Sequence, residues 1–402
     1  MILKNARCIF PDGIRDDIDT VVRDGKIVDL REAKWHGHPA RDLSGRKPEP
    51  QDEVVDLDGN YLAPGFVDLH IHGAVGRDTM EGSMEAFAAI CDYHASGGTT
   101  SLLLTTTTAP IPEIARVLQD IEASVGIIPQ VLGAHVEGPF ISRNRTGAQR
   151  KEFICEPRSD LVDQLLEHAG PIKQMTLAPE VTGALDLIRK LRARGIRVSG
   201  GHSDAWDEEA RAAFTHGMHQ VTHSFNCMST MRRRGRNRVA GLLEFAMSEP
   251  GIMCELIADG HHVSPTLMQM LYRAKGVARI ILVTDATAGA GLPEGTSFTL
   301  YGKDCIVAEG VCMLADRSAL AGSASRMIDL VRTMVQKVGV PLHETVRMAT
   351  ENPARAIGVD HRKGRLAAGM DADLIVLSPS LEIRQTFVGG RSVYSLMLPR
   401  LK

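Results

Sequence analysis

Six side chains of metal-ligand type stand where apolar runs stop. Phe66-Val-Asp-Leu-His-Ile-His72 closes on a His-x-His pair and Val131 to Glu137 on a carboxylate. Ile196 to His202 and Val221-Thr-His223 close on imidazoles, and Ile280 to Asp285 closes on a second carboxylate. Neutral imidazoles and carboxylates are the donors that hold a water-activating divalent metal while leaving a coordination position open. His-x-His supplies two imidazoles once the strand begins to turn, and Gly138-Pro139 stops the next run at once, leaving Glu137 at its end. One strand-end histidine taken alone is more often hydrogen-bonded structure than a ligand. The weight lies in five separate runs sharing the pattern. His94, His135, His168, His216, His219, His343 and His361 lack that context and read as structural. Asp285 suits a different role, because a carboxylate beside an activated water can take its proton and hand it to a leaving nitrogen.

These residues converge only if the fold gathers strand ends on one face. Eight apolar segments are candidates: Phe66–Ile71, Thr100–Leu104, Val131–Val136, Met175–Ala178, Ile196–Ser199, Gln220–Thr222, Ile252–Ile257 and Ile280–Thr284. Between them Met84–Ala95, Ile114–Glu122, Ala184–Ala193, Asp207–Thr215 and Thr266–Ala274 repeat apolar residues at helical spacing and end near glycine. Strand-then-helix repetition predicts a parallel sheet, here closed as a (β/α)8 TIM-type barrel, with chemistry at the C-terminal strand ends. Both ends of the chain instead carry short alternating runs broken by Asp-Gly, Gly-Gly and Pro turns, the signature of hairpins. They are predicted to join as one small β-sandwich domain, residues 1–62 with 360–402, around a barrel of residues 63–359. The polar stretch Lys34 to Asp52 reads as a surface loop.

Bulk composition narrows the rest. The 402 residues are 44% hydrophobic and 24% charged, enough for a large core, and a net charge of -3 gives no general attraction to nucleic acid. The seven cysteines are scattered without a Cys-x-x-Cys pair, which argues against a disulfide framework and for a reducing cytoplasm. Met-Ile-Leu-Lys-Asn-Ala-Arg is no signal core, and no stretch approaches the ~20 apolar residues of a membrane span. A soluble cytoplasmic protein with no membrane or nucleic-acid partner is expected.

Ala63-Pro-Gly-Phe-Val-Asp-Leu-His-Ile-His-Gly73 and Ala368-Gly-Met-Asp-Ala-Asp-Leu-Ile-Val-Leu377 resemble the amidohydrolase superfamily. His135-Val-Glu-Gly-Pro-Phe140, Gly201-His-Ser-Asp-Ala205, Thr222-His-Ser-Phe-Asn-Cys-Met228, Ile257-Ala-Asp-Gly-His-His262, Thr284-Asp-Ala-Thr287, Leu320-Ala-Gly-Ser323 and Ala349-Thr-Glu-Asn-Pro-Ala-Arg355 narrow the resemblance to its N-acetylglucosamine-6-phosphate deacetylase family, almost end to end. The resemblance implies hydrolysis of an N-acetyl group from a phosphorylated amino sugar. It implies that Glu137, His202 and His223 hold the main metal, that His70 and His72 add a second ion bridged by Glu137, and that Asp285 is general base and acid. Asn226, the Cys227 backbone, Arg234 and His262 match positions that hold the sugar phosphate, with Arg234 reaching in from a partner subunit and so implying a homodimer. Ala148, Asp259, Gly260, His261, Leu320, Ala321 and Gly322 match lesser substrate contacts. One or two divalent ions are expected, zinc first, though these ligands also admit iron, manganese, cobalt or nickel.

The chain departs from the family pattern in places. Gln149 stands where the family has a histidine that polarises the substrate carbonyl, and Gln149 is expected to help steady the oxyanion as a neutral donor. Ser224 and Cys227 replace the usual Leu and Ala, and Gly235-Arg-Asn-Arg-Val-Ala-Gly241 replaces a Glu-Pro-Gly run. The basic run Arg232 to Arg238 reads either as an anion clamp, with Arg234 its best member, or as a solvated loop. These departures keep a second substrate open, another N-acyl amine such as N-acetylgalactosamine-6-phosphate. Cyclic-amide hydrolases would carry a lysine on strand four where Met175 to Pro179 has none, and deaminases a His-x-x-Glu where His202-Ser-Asp-Ala205 stands. A non-catalytic barrel scaffold is disfavoured by the complete ligand set.

Overall fold

A computed structural model of the chain describes residues 1–32 and 53–396, so the loop expected from Lys34 to Asp52 lies outside the described residues. Eight parallel strands pair in chain order: β1 (Phe66–Ile71), β2 (Thr99–Thr106), β3 (Val131–Glu137), β4 (Ile172–Leu177), β5 (Arg197–Gly200), β6 (Met218–Val221), β7 (Met253–Leu256) and β8 (Ile280–Leu282). Every residue of β1, β2 and β3 is buried. That is what a parallel sheet covered by helices on one face and packed within the barrel on the other requires. All eight strands and the five crossover helices fall where the sequence periodicity puts them, within a few residues.

The helices follow from the same pattern. In Ile111–Ser124 the buried residues Ile111, Ile114, Val117, Leu118 and Ile121 make one stripe, each such side chain contributing about 1.5–3 kcal/mol by leaving water. Ser83 caps Met84–Ala95 by accepting from the Ala86 N–H, and Gly217, at φ 117°, ends Asp207–His216.

The join between β8 and β1 bears directly on function. It is made beyond the end of β8, where the Asp285 N–H donates to the His70 carbonyl at 2.9 Å and the His72 N–H donates to the Ala286 carbonyl at 2.8 Å. Lower down, the buried Asp68 carboxylate on β1 accepts from the Thr284 hydroxyl at 2.6 Å. Barrel closure therefore fixes Asp285 beside His70 and His72.

The chain ends meet in one mixed sheet of eight strands. Its order runs Arg391–Ser395, Ile383–Val388, Leu374–Leu377, Tyr61–Pro64, Ile2–Phe10, Gly13–Arg23, Lys26–Glu32, with Val54–Asp56 also on Ile2–Phe10. Leu3, Cys8, Val22 and Ile27 from the N-terminal part pack with Leu374, Val376 and Phe387 from the tail. The Asp24-Gly25 turn has φ of 48° and 73° and the Gly389-Gly390 turn 54° and 74°, the left-handed pair a two-residue hairpin needs. Tyr61–Pro64 hands the chain over to β1.

Two additions were not foreseen. After β8, the strands Ser297–Leu300, Lys303–Ala308 and Val311–Leu314 form a separate antiparallel sheet. Its turns, Tyr301-Gly302 and Glu309-Gly310, are X-Gly pairs with both residues left-handed, a hairpin signal present in the sequence. The basic run forms a hairpin, Arg232–Arg234 with Asn237–Val239. Among the described residues no helix is long and apolar enough to cross a membrane.

Candidate metal centre and substrate cavity

The barrel brings all six predicted residues to one point. His70 lies in β1 and His72 just beyond it, Glu137 is the last residue of β3, His202 and His223 follow β5 and β6, and Asp285 follows β8. Three of them leave their strands in the left-handed region: His202 at φ 46°, His223 at φ 29° and Asp285 at φ 48°. Such backbone costs roughly 1–2 kcal/mol for a side-chain-bearing residue and is held only when its surroundings enforce it.

Glu137 is the hub. Its Oε1 lies 3.1 Å from His202 Nε2, 3.2 Å from His223 Nε2 and 3.4 Å from His70 Nε2, and its Oε2 lies 3.2 Å from His72 Nε2. His70 Nε2 is 3.2 Å from His72 Nε2, and His202 Nε2 is 3.1 Å from His223 Nε2. Nitrogen lone pairs packed this tightly around a buried carboxylate suit a cation among them. Two ligand groups satisfy the distances a metal ion needs, His70–His72–Glu137 and Glu137–His202–His223, with Glu137 common to both. Burial opposes ionisation of Glu137, but His70 and His202 outweigh it and hold the carboxyl well below its usual range. Burial likewise opposes charge on His70 and His202, and the carboxylates around them prevail: Asp285 and Glu137 raise His70, and Glu137 raises His202. A metal taking this site displaces those protons.

Behind the ligands lies a polar layer that sequence reading missed. Glu255 on β7 is wholly buried and sits 3.5 Å from His70 Nδ1. It also accepts from Gln174 at 2.7 Å, from Gln220 at 2.6 Å and from the His223 N–H at 3.3 Å. Such a carboxylate fixes the ring orientation and tautomer of a ligating imidazole. Asp68, pushed up to about 7 by burial against the hydrogen bonds of Thr284 and the His70 N–H, ties β1 to β8. His135 is structural as expected: its Nε2 lies 2.8 Å from the Thr176 hydroxyl, and burial drives its pKa well down.

Above this floor opens a cavity of about 280 Å³. Its lining includes His72, Glu137, His202, His223 and Asp285 together with Ala148, Gln149, Asn226, Cys227, His262, Leu320 and Gly322. The Asp285 side chain is 14% exposed against 2% for Glu137, so Asp285 is the acid that can meet a bound molecule. Gly322 has φ 72°, and a Cβ there would stand 2.3 Å from Thr287 Cγ2 and 2.8 Å from the Asp285 carbonyl. His262 Nδ1 lies 2.7 Å from Asp259 Oδ2; burial opposes its charge, yet Asp259 raises its pKa. Asp259 Oδ1 also accepts from the His261 and His262 N–H groups, which makes it a brace for His262.

Several expected contacts sit elsewhere. Ala321 is not in the lining but packs behind it, with Leu300 and Cys305. Gly260 and His261 are outside the lining. Arg234 is also outside it within its own chain: half-exposed, it makes a two-pronged ion pair with Glu208 at 2.5 and 3.0 Å. Arg232 binds Asp204 instead, and both guanidinium groups lie over the Trp206 ring at 3.9 and 4.6 Å. Gln149 is pinned: its carbonyl accepts from the Thr107 hydroxyl at 2.6 Å and the Thr108 N–H at 2.8 Å, and its amide donates to Glu137 Oε2 at 2.5 Å.

Residues 61–393 match the amidohydrolase family. The chain is 34% identical over 397 residues to an N-acetylglucosamine-6-phosphate deacetylase of Lysinibacillus sphaericus, covering 97% of each chain. It is 33% identical over 396 residues to an N-acetylgalactosamine-6-phosphate deacetylase of Escherichia coli O157:H7, covering 97% of this chain and 98% of that one. A similar solved structure is a mutant N-acetyl-D-glucosamine-6-phosphate deacetylase from Mycobacterium smegmatis in complex with N-acetyl-D-glucosamine-6-phosphate. It superposes with a TM-score of 0.87 at 29% identity over 98% of this chain and 99% of that one. With the six residues gathered at the C-terminal strand ends of the barrel, the chain belongs to the amidohydrolase family and, within it, to the N-acetylglucosamine-6-phosphate deacetylase family.

Proposed function

We propose that this chain hydrolyses the N-acetyl group of N-acetylglucosamine-6-phosphate, giving glucosamine-6-phosphate and acetate. The observation that carries the reading is the convergence of His70, His72, Glu137, His202 and His223 with Asp285 on one cavity, in a chain similar over nearly its full length to deacetylases of such sugars. Glu137, His202 and His223 would hold the main ion and His70, His72 and Glu137 a second, zinc being the first candidate. When bound, a divalent metal polarises the acetyl carbonyl and lowers the pKa of water toward ~7.

This chain's own groups do the rest. Asp285, with Oδ1 3.4 Å from His72 Nε2 and 3.5 Å from His70 Nε2, accepts the proton of the attacking water. It returns that proton to the sugar nitrogen as the carbon–nitrogen bond breaks, so the amine leaves neutral. Gln149 holds Glu137 in orientation and lends a neutral donor to the oxyanion. His262, kept more basic by Asp259, receives the sugar phosphate with Asn226 and the Cys227 backbone. Ala148, Leu320 and Gly322 shape the sugar's bed, with Ala321 supporting it from behind. Arg234, outside its own cavity, completes the phosphate site of a partner subunit in a homodimer. We further propose a cytoplasmic location, and a division into a terminal β-domain of residues 1–62 with 360–402 and a barrel of residues 63–359; the separate packing of the terminal core supports that division.

The galacto isomer is the second reading, favoured by the similarity to the N-acetylgalactosamine-6-phosphate enzyme. The test is kcat/KM for acetate release from both phosphorylated isomers and from unphosphorylated N-acetylglucosamine. The proposal predicts preference for the gluco isomer and a loss of ~10-fold or more without phosphate, the worth of one charge-assisted contact. Preference for the galacto isomer moves the specificity, and cleavage of neither phosphorylated sugar rejects the function.

A further inference from the structure

We infer that Tyr301, at the tip of the hairpin inserted after β8, is a further catalytic residue: its hydroxyl donates a hydrogen bond to the acetyl oxygen as that oxygen gains negative charge. The inference rests on the proposed deacetylation and adds to it a donor from outside the barrel.

The position of Tyr301 is imposed, not incidental. It occupies the first place of the two-residue turn joining Ser297–Leu300 to Lys303–Ala308, with φ 54°. An L-residue with a bulky side chain rarely adopts that conformation, and such strain gathers at functional sites. The turn aims the ring inward: Tyr301 lines the same cavity as Asp285, and its ring meets that of His72 edge-on with centroids 5.7 Å apart.

The hydroxyl itself is the second observation. The phenolic oxygen is buried and makes no hydrogen bond among the described residues. Leaving a buried hydroxyl unpaired costs about 1–3 kcal/mol, so a built cavity that keeps one is prepared for a partner. Thr107 lies beside it with its hydroxyl proton given to Gln149, so it can offer the phenol only a lone pair, and no such bond is formed. A phenol with its ordinary pKa near 10 is a donor at neutral pH, and burial, helped by the surrounding carboxylates, favours the protonated form further.

The chemistry supplies the need. A tetrahedral intermediate places a full negative charge on the former carbonyl oxygen, and donors preset toward that point are among the largest catalytic terms. Gln149, a neutral amide, already spends one N–H on Glu137 and has its carbonyl doubly bonded. Tyr301 supplements it. The proton stays on the phenolic oxygen throughout; water adds to the acetyl carbon, the carbon–nitrogen bond breaks, and no bond to Tyr301 forms.

The test is Tyr301→Phe, which keeps the ring and removes only the hydroxyl. In metal-loaded protein kcat should fall about 10²–10³-fold, the usual loss for one oxyanion donor, with KM nearly unchanged. Affinity for a tetrahedral phosphonamidate analogue of the substrate should fall by a matching factor, while glucosamine-6-phosphate binding and the thermal midpoint stay at wild-type values. A variant within threefold of an active wild type in kcat and analogue affinity overturns the role of Tyr301 alone. A wild type that cleaves neither phosphorylated sugar removes the deacetylation reading and the tyrosine's role with it.

Discussion

The floor and the wall of the cavity are built from different parts of the chain, and the difference explains what each can do. The floor is made of barrel-strand ends, with ligands locked by Glu255, Asp68 and the backbone pairing of residues 70–73 with 285–286. The wall is made of inserted loops and hairpins: Ala148 and Gln149 in the loop after β3, Tyr301 on the post-β8 hairpin, and Leu320 and Gly322 just after it. Rigid strand ends hold a metal within the tight distances it requires, whereas loops can be rebuilt without disturbing it. Of the departures from the family pattern, Gln149 and Cys227 lie in the wall, whereas the Arg232 to Arg238 hairpin stands outside it. The candidate metal-holding groups are thereby separated from most of the groups that face the cavity from above.

The sharpest way to break that separation is Asp285→Asn. Metal content should stay at the wild-type level while kcat falls about 10²–10⁴-fold, the range for a lost general acid–base. Equal loss of metal and turnover would make Asp285 a ligand and merge the two roles.

Next in size is Arg234→Ala, which under the proposed homodimer would act on the cavity of the neighbouring chain. KM for the phosphorylated sugar should rise roughly 10–100-fold, from a charge-assisted contact of about 1.5–3 kcal/mol. Turnover of the unphosphorylated sugar should not change. Mixing this variant with Asp285→Asn protein should restore phosphate affinity to part of the active sites. An unchanged KM would leave Arg234 as the partner of Glu208 and nothing more.

A smaller effect, on stability alone, sharpens the view of the floor as a dry scaffold. Burial lowers the pKa of His94 from 6.5 to about 4, and its Nε2 faces the Gly73 carbonyl at 3.3 Å. The unfolded chain therefore binds this proton first, so the histidine's neutral burial costs stability as pH falls below 6.5 and reaches its limit near 4. The full loss is about 3 kcal/mol. Urea titrations should show His94→Gln gaining on wild type by that order between pH 6.5 and 4; parallel curves would contradict the burial of an uncharged ring.

Legibility from sequence follows the same divide. The convergence of the strand-end residues was readable because each is marked by the local run before it, His70, Glu137, His202, His223 and Asp285 each closing one segment. The barrel was readable because strand and helix periods alternate cleanly. Glu255 was not, since it sits in a buried apolar strand and its meaning comes from Gln174, Gln220 and His70 on three other strands. Tyr301 was hidden differently: its X-Gly turn is visible, but nothing local says that the hairpin tip folds back onto His72. Ala321 shows the converse, since a motif gives the order of residues and not which one faces the cavity, and Ala321 lies behind the lining.

The most direct test of the whole account is acetate release from N-acetylglucosamine-6-phosphate by chelated and metal-reconstituted protein, with bound metal counted in each. The account predicts that the chelated protein is silent and that turnover returns in proportion to the divalent ion restored. Full turnover by metal-free protein, or none by protein carrying its metal, would contradict it.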